Sequence, residues 1–164
     1  MKLFNTRCMY FYAFLAVVAM MALAIYLQFW KGIAPCPLCV LQRVTLAFLG
    51  IFLLIGAIFN FKKIGNIVIG SFAFFISLVG VFLSGRQVWL QHLPPNKAAD
   101  CGTSLQYMLQ VLPLDQVLKK ILQGTADCAQ LEWSMFGLSL AEWSLIWFVV
   151  FGLFALWQMT RRIN

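Results

Sequence analysis

Four cysteines are the residues of this chain with the clearest chemistry. Cys36 and Cys39 form a Cys-Pro-Leu-Cys motif in a short break between two apolar stretches, and Cys101 and Cys128 lie in a long polar stretch. A Cys-x-x-Cys pair can bind zinc or form a redox-active disulfide. Structural zinc generally takes four ligands in paired motifs, but the chain has no second Cys-x-x-Cys and a single histidine, His92. The pattern favours thiol–disulfide exchange, and we expect no metal site.

The two sulfurs of the motif are expected to differ in reactivity. Cys39 is predicted at the start of a helix, where unpaired backbone N–H groups and the helix dipole stabilise an anion. Arg43 follows four residues later and lies on the same helical face, either to pair with an anion or as a snorkelling side chain. Because the more acidic thiol leaves more readily, we expect an incoming thiolate to attack Cys36 and expel Cys39.

Composition and charge spacing indicate a chain that spans a membrane. Hydrophobic residues make up 63% of the 164-residue chain and charged residues only 10%, against about a quarter in soluble domains. A helix needs about 20 apolar residues to cross a bilayer core. Four stretches without a charged side chain are long enough, namely residues 8–30, 44–61, 64–85 and 143–160. We predict an all-α integral membrane protein, a bundle of four transmembrane helices that forms a single domain over residues 1–164.

Basic residues set the expected orientation of these helices. The helices are predicted over about residues 9–30, 40–61, 64–90 and 143–160, with loops at about 31–39 and 91–142. Lysines and arginines accumulate at both termini and in the second connection, whereas all five acidic residues lie on the other side. Positive segments stay in the cytoplasm, so both termini are expected there and both cysteine loops outside, where disulfides persist. The net charge of +7 then reports topology and gives no support for nucleic-acid binding.

The long outer loop is predicted to contain a short amphipathic helix. Pro113 and Asp115 are typical of a helix start, and Gly124 is a stop signal. Apolar side chains between them share one face, opposite Lys119 and its lysine neighbour. Such a helix lies on the membrane surface or packs against helix ends of the same protein, and the sequence leaves both open.

Cys101 and Cys128 enclose this predicted surface helix. Taken alone, such a pair is more often structural, and closing a loop of this length stabilises by roughly 3 to 4 kcal/mol. Next to an exposed Cys-x-x-Cys, a second redox pair is favoured. Cys101 ends an extended, proline-led segment suited to another protein's groove, whereas Cys128 precedes the return to the membrane. We therefore expect Cys101 to meet a soluble partner and Cys128 to turn towards Cys36.

Two functions from different classes fit this pattern. A thiolate beside an arginine at the membrane surface can pass electrons to a lipid-soluble acceptor, and a quinone fits because it reaches that depth between helices. The alternative is a membrane scaffold or assembly factor that is stapled by two structural disulfides and has no redox turnover. A membrane reductant with the opposite electron flow would need cysteines reachable from the cytoplasm, and the four candidates are expected outside.

Several short strings resemble the DsbB family of bacterial inner-membrane proteins, and the resemblance covers essentially the whole chain. They are Cys-Pro-Leu-Cys with Arg43 four residues later, Gln87-x4-His92, Leu112-Pro113-Leu114-Asp115, Asp127-Cys128-Ala129 and Trp133-x3-Gly137-Leu138. The resemblance implies a quinone-dependent protein-disulfide oxidoreductase. Such a protein reoxidises a periplasmic, DsbA-like thioredoxin-fold partner and passes the electrons to a quinone, either ubiquinone or menaquinone. A relay of this kind keeps the bacterial periplasm oxidising.

The resemblance also implies a role for each of the four cysteines. Cys101 would form the mixed disulfide with the DsbA-like partner. Cys128 would then pair with Cys36, leaving Cys39 as the thiolate that reacts with the quinone.

Three further residues are implied at the quinone site. Arg43 would bind and polarise the quinone head group, and His92 and Gln87 are additional candidates. Gln42 departs from the pattern, because the best-known member of the family carries an acidic residue before the arginine.

Overall fold

Four long helices make up most of the described structure. The computed structural model describes residues 6–31, 36–59, 63–92, 113, 115–116, 119, 134–135 and 137–163. The helices are α1 (Thr6–Lys31), α2 (Pro37–Ile58), α3 (Lys63–Gln91) and α4 (Leu140–Ile163). Each contains a segment long and apolar enough to cross a membrane, namely Arg7–Trp30, Pro37–Ile58, Ile64–Gln91 and Leu140–Thr160. The predicted class, an all-α membrane protein with four spanning helices, is confirmed.

Helices α1, α2 and α4 each begin about one turn earlier than predicted, and local capping explains the starts of α2 and α4. Helix α2 begins at Pro37, since proline is tolerated in the first helical turn, where its missing N–H has no partner to lose. Helix α4 begins at Leu140 because Ser139 and Glu142 form a capping box. The Ser139 amide donates to the Glu142 carboxylate at 2.6 Å, and the Glu142 amide donates to the Ser139 hydroxyl at 3.3 Å. This exchange satisfies backbone donors that a helix start leaves unpaired.

A small hairpin precedes α4 and was not predicted. Strand β1 (Ser134–Met135) pairs antiparallel with β2 (Leu138–Ser139), with Ser134 opposite Ser139. Gly137 lies in the connection with φ of 81°, a left-handed conformation that glycine adopts without a steric cost.

The predicted surface helix falls mostly outside the described residues. Asp115, Gln116 and Lys119 are helical and exposed. The Gln116 amide donates to the Pro113 carbonyl at 3.0 Å, which is compatible with a helix start at that point. The side on which this helix packs stays a prediction.

The helices pack in chain order, α1 on α2, α2 on α3 and, most extensively, α3 on α4. Small residues allow the close approaches. A Cβ at Gly56 of α2 would lie 3.2 Å from the Tyr10 ring of α1, and a Cβ at Gly80 of α3 would overlap the Phe148 ring of α4. Such small-residue contacts are typical of helix packing in membranes, where backbones must come close to gain van der Waals contact.

The outward faces of the bundle are apolar, as a bilayer requires. Phe75, Phe82 and Leu153 are each more than half exposed, and in a membrane these side chains meet lipid rather than water. The bundle has two distinct ends. Helices α1 and α3 end, and α2 and α4 begin, at what we call the cysteine end, and the other is the opposite end.

Candidate dithiol site at the cysteine end

The Cys-Pro-Leu-Cys motif forms the first turn of α2. Cys36 is the N-cap residue, with φ of −64° and ψ of 156°, and its sulfur accepts a hydrogen bond from the Cys39 amide at 3.3 Å. Pro37 occupies the first turn of the helix. Both cysteines therefore lie at a helix N-terminus, where backbone N–H groups and the helix dipole favour an anion. The sequence placed only Cys39 there.

The two sulfurs are in contact but differ in exposure. Their Sγ atoms are 2.9 Å apart. Cys36 is buried, with 4% of its surface exposed, and Cys39 is half-buried. Cys39 is therefore the more accessible of the two residues.

Gln87 connects the dithiol to α3. Its Nε2 lies 3.2 Å from the Cys39 sulfur and 3.7 Å from the Cys36 sulfur. Its Oε1 accepts a hydrogen bond of 2.7 Å from Nε2 of Gln42, one turn beyond Cys39 on α2. Both glutamines are buried. The sequence singled out Gln87 as a quinone contact, but in the structure it contacts the sulfurs.

Arg43 extends away from the dithiol and towards α1. Its guanidinium donates to the Gln28 side chain and, at 3.2 Å, to the Ala24 carbonyl. The side chain is half-buried. These bonds fix the guanidinium in the gap between α1 and α2.

A cavity of about 290 Å³ opens beside Cys39 and Arg43. Its walls come from α1, α2 and α4, so the cavity lies between these three helices at the cysteine end. The polar side chains in its wall belong to Cys39, Gln42, Arg43, Trp143 and Ser144. The rest of the wall is apolar and is formed by Met20, Leu23, Ala24, Leu46, Leu140, Ala141, Trp147 and Phe148.

Comparisons with known proteins give the family. A family model described as Disulfide bond formation protein DsbB matches residues 6–158. Disulfide bond formation protein B of Stutzerimonas stutzeri (strain A1501) is 37% identical over 162 residues, which cover 99% of each chain. Disulfide bond formation protein B 1 of Pseudomonas aeruginosa is 42% identical with the same coverage. The chain belongs to the DsbB family.

A third relative agrees with these two. Disulfide bond formation protein B of Nitrosococcus oceani is 38% identical over 157 residues, which cover 96% of this chain and 93% of that protein. Membership of the DsbB family confirms the resemblance seen in the sequence and supports a role in disulfide bond formation as a disulfide oxidoreductase. The structure of this chain shows which described side chains contact the dithiol.

Of the remaining predicted site residues, the structure describes His92. His92 is exposed just beyond α3, and its Nδ1 lies 2.9 Å from the Val88 carbonyl of that helix. His92 and Gln87 do not line the cavity formed by the described residues, and their contact with a quinone stays a prediction. Cys101 and Cys128 lie outside the described residues, so their pairing also stays a prediction.

Two further residues near the dithiol, Gln42 and Ser144, were not predicted from the sequence to be parts of the site. Gln42 was noted only for its difference from the family pattern. Its position three residues after Cys39 puts both on one helical face, and this spacing was the signal available in the sequence. Ser144 lies 3.3 Å from Oε1 of Gln42, and no local pattern marks a contact between residues so far apart in the chain.

Proposed function

We propose that this protein reoxidises a periplasmic DsbA-like, thioredoxin-fold partner by disulfide exchange and passes the two electrons to a membrane quinone, ubiquinone or menaquinone. One observation carries the proposal. Cys39, whose sulfur contacts that of Cys36, lines the same cavity as Arg43. A reactive thiol, a cation and an apolar cavity at a gap between membrane helices suit a lipid-soluble electron acceptor.

The cavity fits a quinone head group in size and chemistry. Its volume of about 290 Å³ is close to the lower end of ligand pockets, about 300 Å³. Trp147 and Phe148 offer apolar surface to a flat ring, and Arg43 offers N–H donors to a carbonyl oxygen. A bound quinone would accept the two electrons and two protons that a dithiol releases on becoming a disulfide.

The cysteines would act in a fixed order. A thiolate of the reduced partner attacks the Cys101–Cys128 disulfide at Cys101, and Cys128 leaves as a thiolate. Cys128 then attacks Cys36, the Cys36–Cys39 bond breaks, and Cys39 leaves with the electron pair. Of Cys36 and Cys39, Cys39 is the one that lines the cavity. The second thiolate of the partner then breaks the partner–Cys101 bond, which releases the oxidised partner, and Cys101 attacks Cys128 and frees Cys36. The Cys36–Cys39 disulfide forms again as the quinone takes up two electrons and two protons, which are those that the partner has lost.

The proposed location is the bacterial inner membrane, with both termini in the cytoplasm and both cysteine loops in the periplasm. Four spanning helices put the two termini on the same side, and the basic residues of the sequence favour the cytoplasm for that side. The dithiol would then face the compartment in which disulfides form.

Catalytic assay of the purified protein tests this function. Reduced DsbA-like partner and a defined quinone are mixed with the protein, and quinol formation is followed by absorbance. We expect turnover that is lost in both Cys36→Ser and Cys101→Ser. Turnover that survives in Cys36→Ser would rule out this mechanism, and a lack of turnover in the unaltered protein would favour the stapled scaffold.

A further inference from the structure

We propose that Gln87 donates a hydrogen bond to the Cys39 thiolate and that Gln42 is a positioning residue, which holds the Gln87 amide with its donor end towards the sulfur. The inference rests on the proposed function only in taking Cys39 as the reactive thiolate. It adds a neutral group that tunes this thiolate and a second residue that acts through the first.

Gln87 is positioned to donate a hydrogen bond to the cysteine sulfurs. Only 4% of its surface is exposed, and its Nε2 lies within 3.2 Å of the Cys39 sulfur and 3.7 Å of the Cys36 sulfur. A hydrogen bond to the charged form of a group favours that form. The amide therefore stabilises a thiolate more than a neutral thiol, and it does so without placing another charge among membrane helices.

Gln42 determines which end of the Gln87 amide faces the sulfurs. An amide has donors at its nitrogen and an acceptor at its oxygen. The Nε2 of Gln42 donates to Oε1 of Gln87 at 2.7 Å, which leaves the Gln87 nitrogen for the sulfurs. Because Gln42 is itself 8% exposed, water has little access to compete for this oxygen.

The Gln42 side chain also contacts α4. Its Oε1 lies 3.3 Å from the Ser144 hydroxyl, which is 3.2 Å from the Ser84 hydroxyl of α3. The polar chain thus links α2, α3 and α4 behind the dithiol. Arg43 directs its guanidinium to α1 instead, so the two types of donor serve different places, Gln87 the sulfurs and Arg43 the cavity.

The test uses the full chain with Cys8, Cys101 and Cys128 replaced by serine, so that the Cys36–Cys39 pair remains alone. The protein is kept in detergent without added quinone. Two quantities are measured, the rate of iodoacetamide alkylation at Cys39 at mildly acidic pH and the equilibrium of the pair with glutathione. Both report stabilisation of the thiolate, and neither needs the partner or the quinone.

Gln87→Met should slow alkylation at Cys39 about tenfold, because it removes a hydrogen bond to a charged group. It should also shift the glutathione equilibrium about tenfold towards the disulfide, since the reduced form is no longer stabilised. Gln42→Met should have a smaller effect of about threefold, as expected for loss of a hydrogen bond between neutral groups. The double variant should match Gln87→Met alone, because residues that act through one contact are not additive.

Gln91→Met is the matched control. Gln91 lies one turn after Gln87 on α3, and its Oε1 accepts from the Ser139 hydroxyl at 2.9 Å rather than contacting the dithiol. Its effect on either quantity should stay within about twofold. Gln87→Asn keeps the amide but shortens the side chain, so it should also slow alkylation at Cys39. It takes the place of Gln87→Met in the test if Gln87→Met does not fold.

Unchanged alkylation and glutathione equilibrium in a folded Gln87 variant would overturn the donor role. Additive effects in the double variant would overturn the positioning role of Gln42. In either case quinone reduction by the unaltered protein would be unaffected, so this failure is distinct from a failure of the proposed function.

Discussion

Each end of the bundle has an arginine that donates to the backbone of a neighbouring helix, but the two arginines have different roles. At the opposite end, Arg7 of α1 donates to the carbonyls of Ala57, at 3.2 Å, and Ile58. These are the last residues of α2, whose carbonyls have no partner within their own helix. Arg7 therefore completes a helix terminus.

Arg43 makes a similar bond where no terminus needs it. Its carbonyl partner, Ala24 at 3.2 Å, lies inside α1, where carbonyls are already paired along the helix. Arg43 also borders the cavity. A ligand can therefore accept the hydrogen bonds of Arg43 without leaving a helix end unpaired, whereas the bonds of Arg7 cannot be replaced in this way.

The largest expected contrast between the two ends is in their cysteines. Cys36→Ser or Cys39→Ser should reduce turnover to background, because a hydroxyl cannot replace the sulfur in disulfide exchange. Cys8→Ser, an exposed position near the other end of α1, should leave turnover unchanged. Quinol formation with reduced partner measures both, and loss of activity in Cys8→Ser would break the contrast.

The two arginines should separate binding from stability. Arg43→Met should raise the KM for quinone about tenfold or more, as expected for a lost hydrogen bond from a charged donor. Arg7→Met should leave the KM unchanged and lower the free energy of unfolding by about 1 kcal/mol through loss of the cap. Steady-state kinetics and thermal unfolding in detergent give both quantities. Equal KM values in the two variants would remove Arg43 from the quinone site.

Helix packing allows a finer comparison within α3. Gly80→Ala should destabilise the protein by about 1 to 3 kcal/mol, since the added methyl group overlaps the Phe148 ring and overpacking carries a cost of this size. Gly85→Ala is the matched control, because a Cβ there meets no described atom within 4 Å. Thermal unfolding should show a lower midpoint only for Gly80→Ala, and similar midpoints would contradict the close approach of Gly80 to the Phe148 ring.

Capping at the start of α4 should give the smallest difference. Ser139→Ala should cost about 1 kcal/mol, because it removes the oxygen that accepts from the Glu142 amide at a helix N-terminus. Thr160→Ala, near the other end of α4, removes an exposed bond of 3.0 Å to the Trp157 carbonyl and should change stability by less than about 0.5 kcal/mol. Unfolding midpoints that reverse this order would contradict the capping box.

The sequence alone predicted the helices well because each signal is local. An apolar stretch of membrane length is visible in the residues themselves, and four such stretches fold into α1 to α4. The early start of α2 was also a local matter, since Pro37 follows a capping residue in the usual way. The hairpin before α4 was missed because two-residue strands have no periodicity to detect.

The number of spanning helices and the position of the Cys36–Cys39 pair follow from the residues alone, since segment length and cysteine spacing need no knowledge of packing. The side chains that contact the sulfurs are known only from the packed helices. The Gln42–Gln87 bond joins residues on different helices, and Arg43 bonds to α1 although its spacing also allowed a role beside Cys39. The direction of a side chain depends on which helix faces it, and that is settled only when the helices pack.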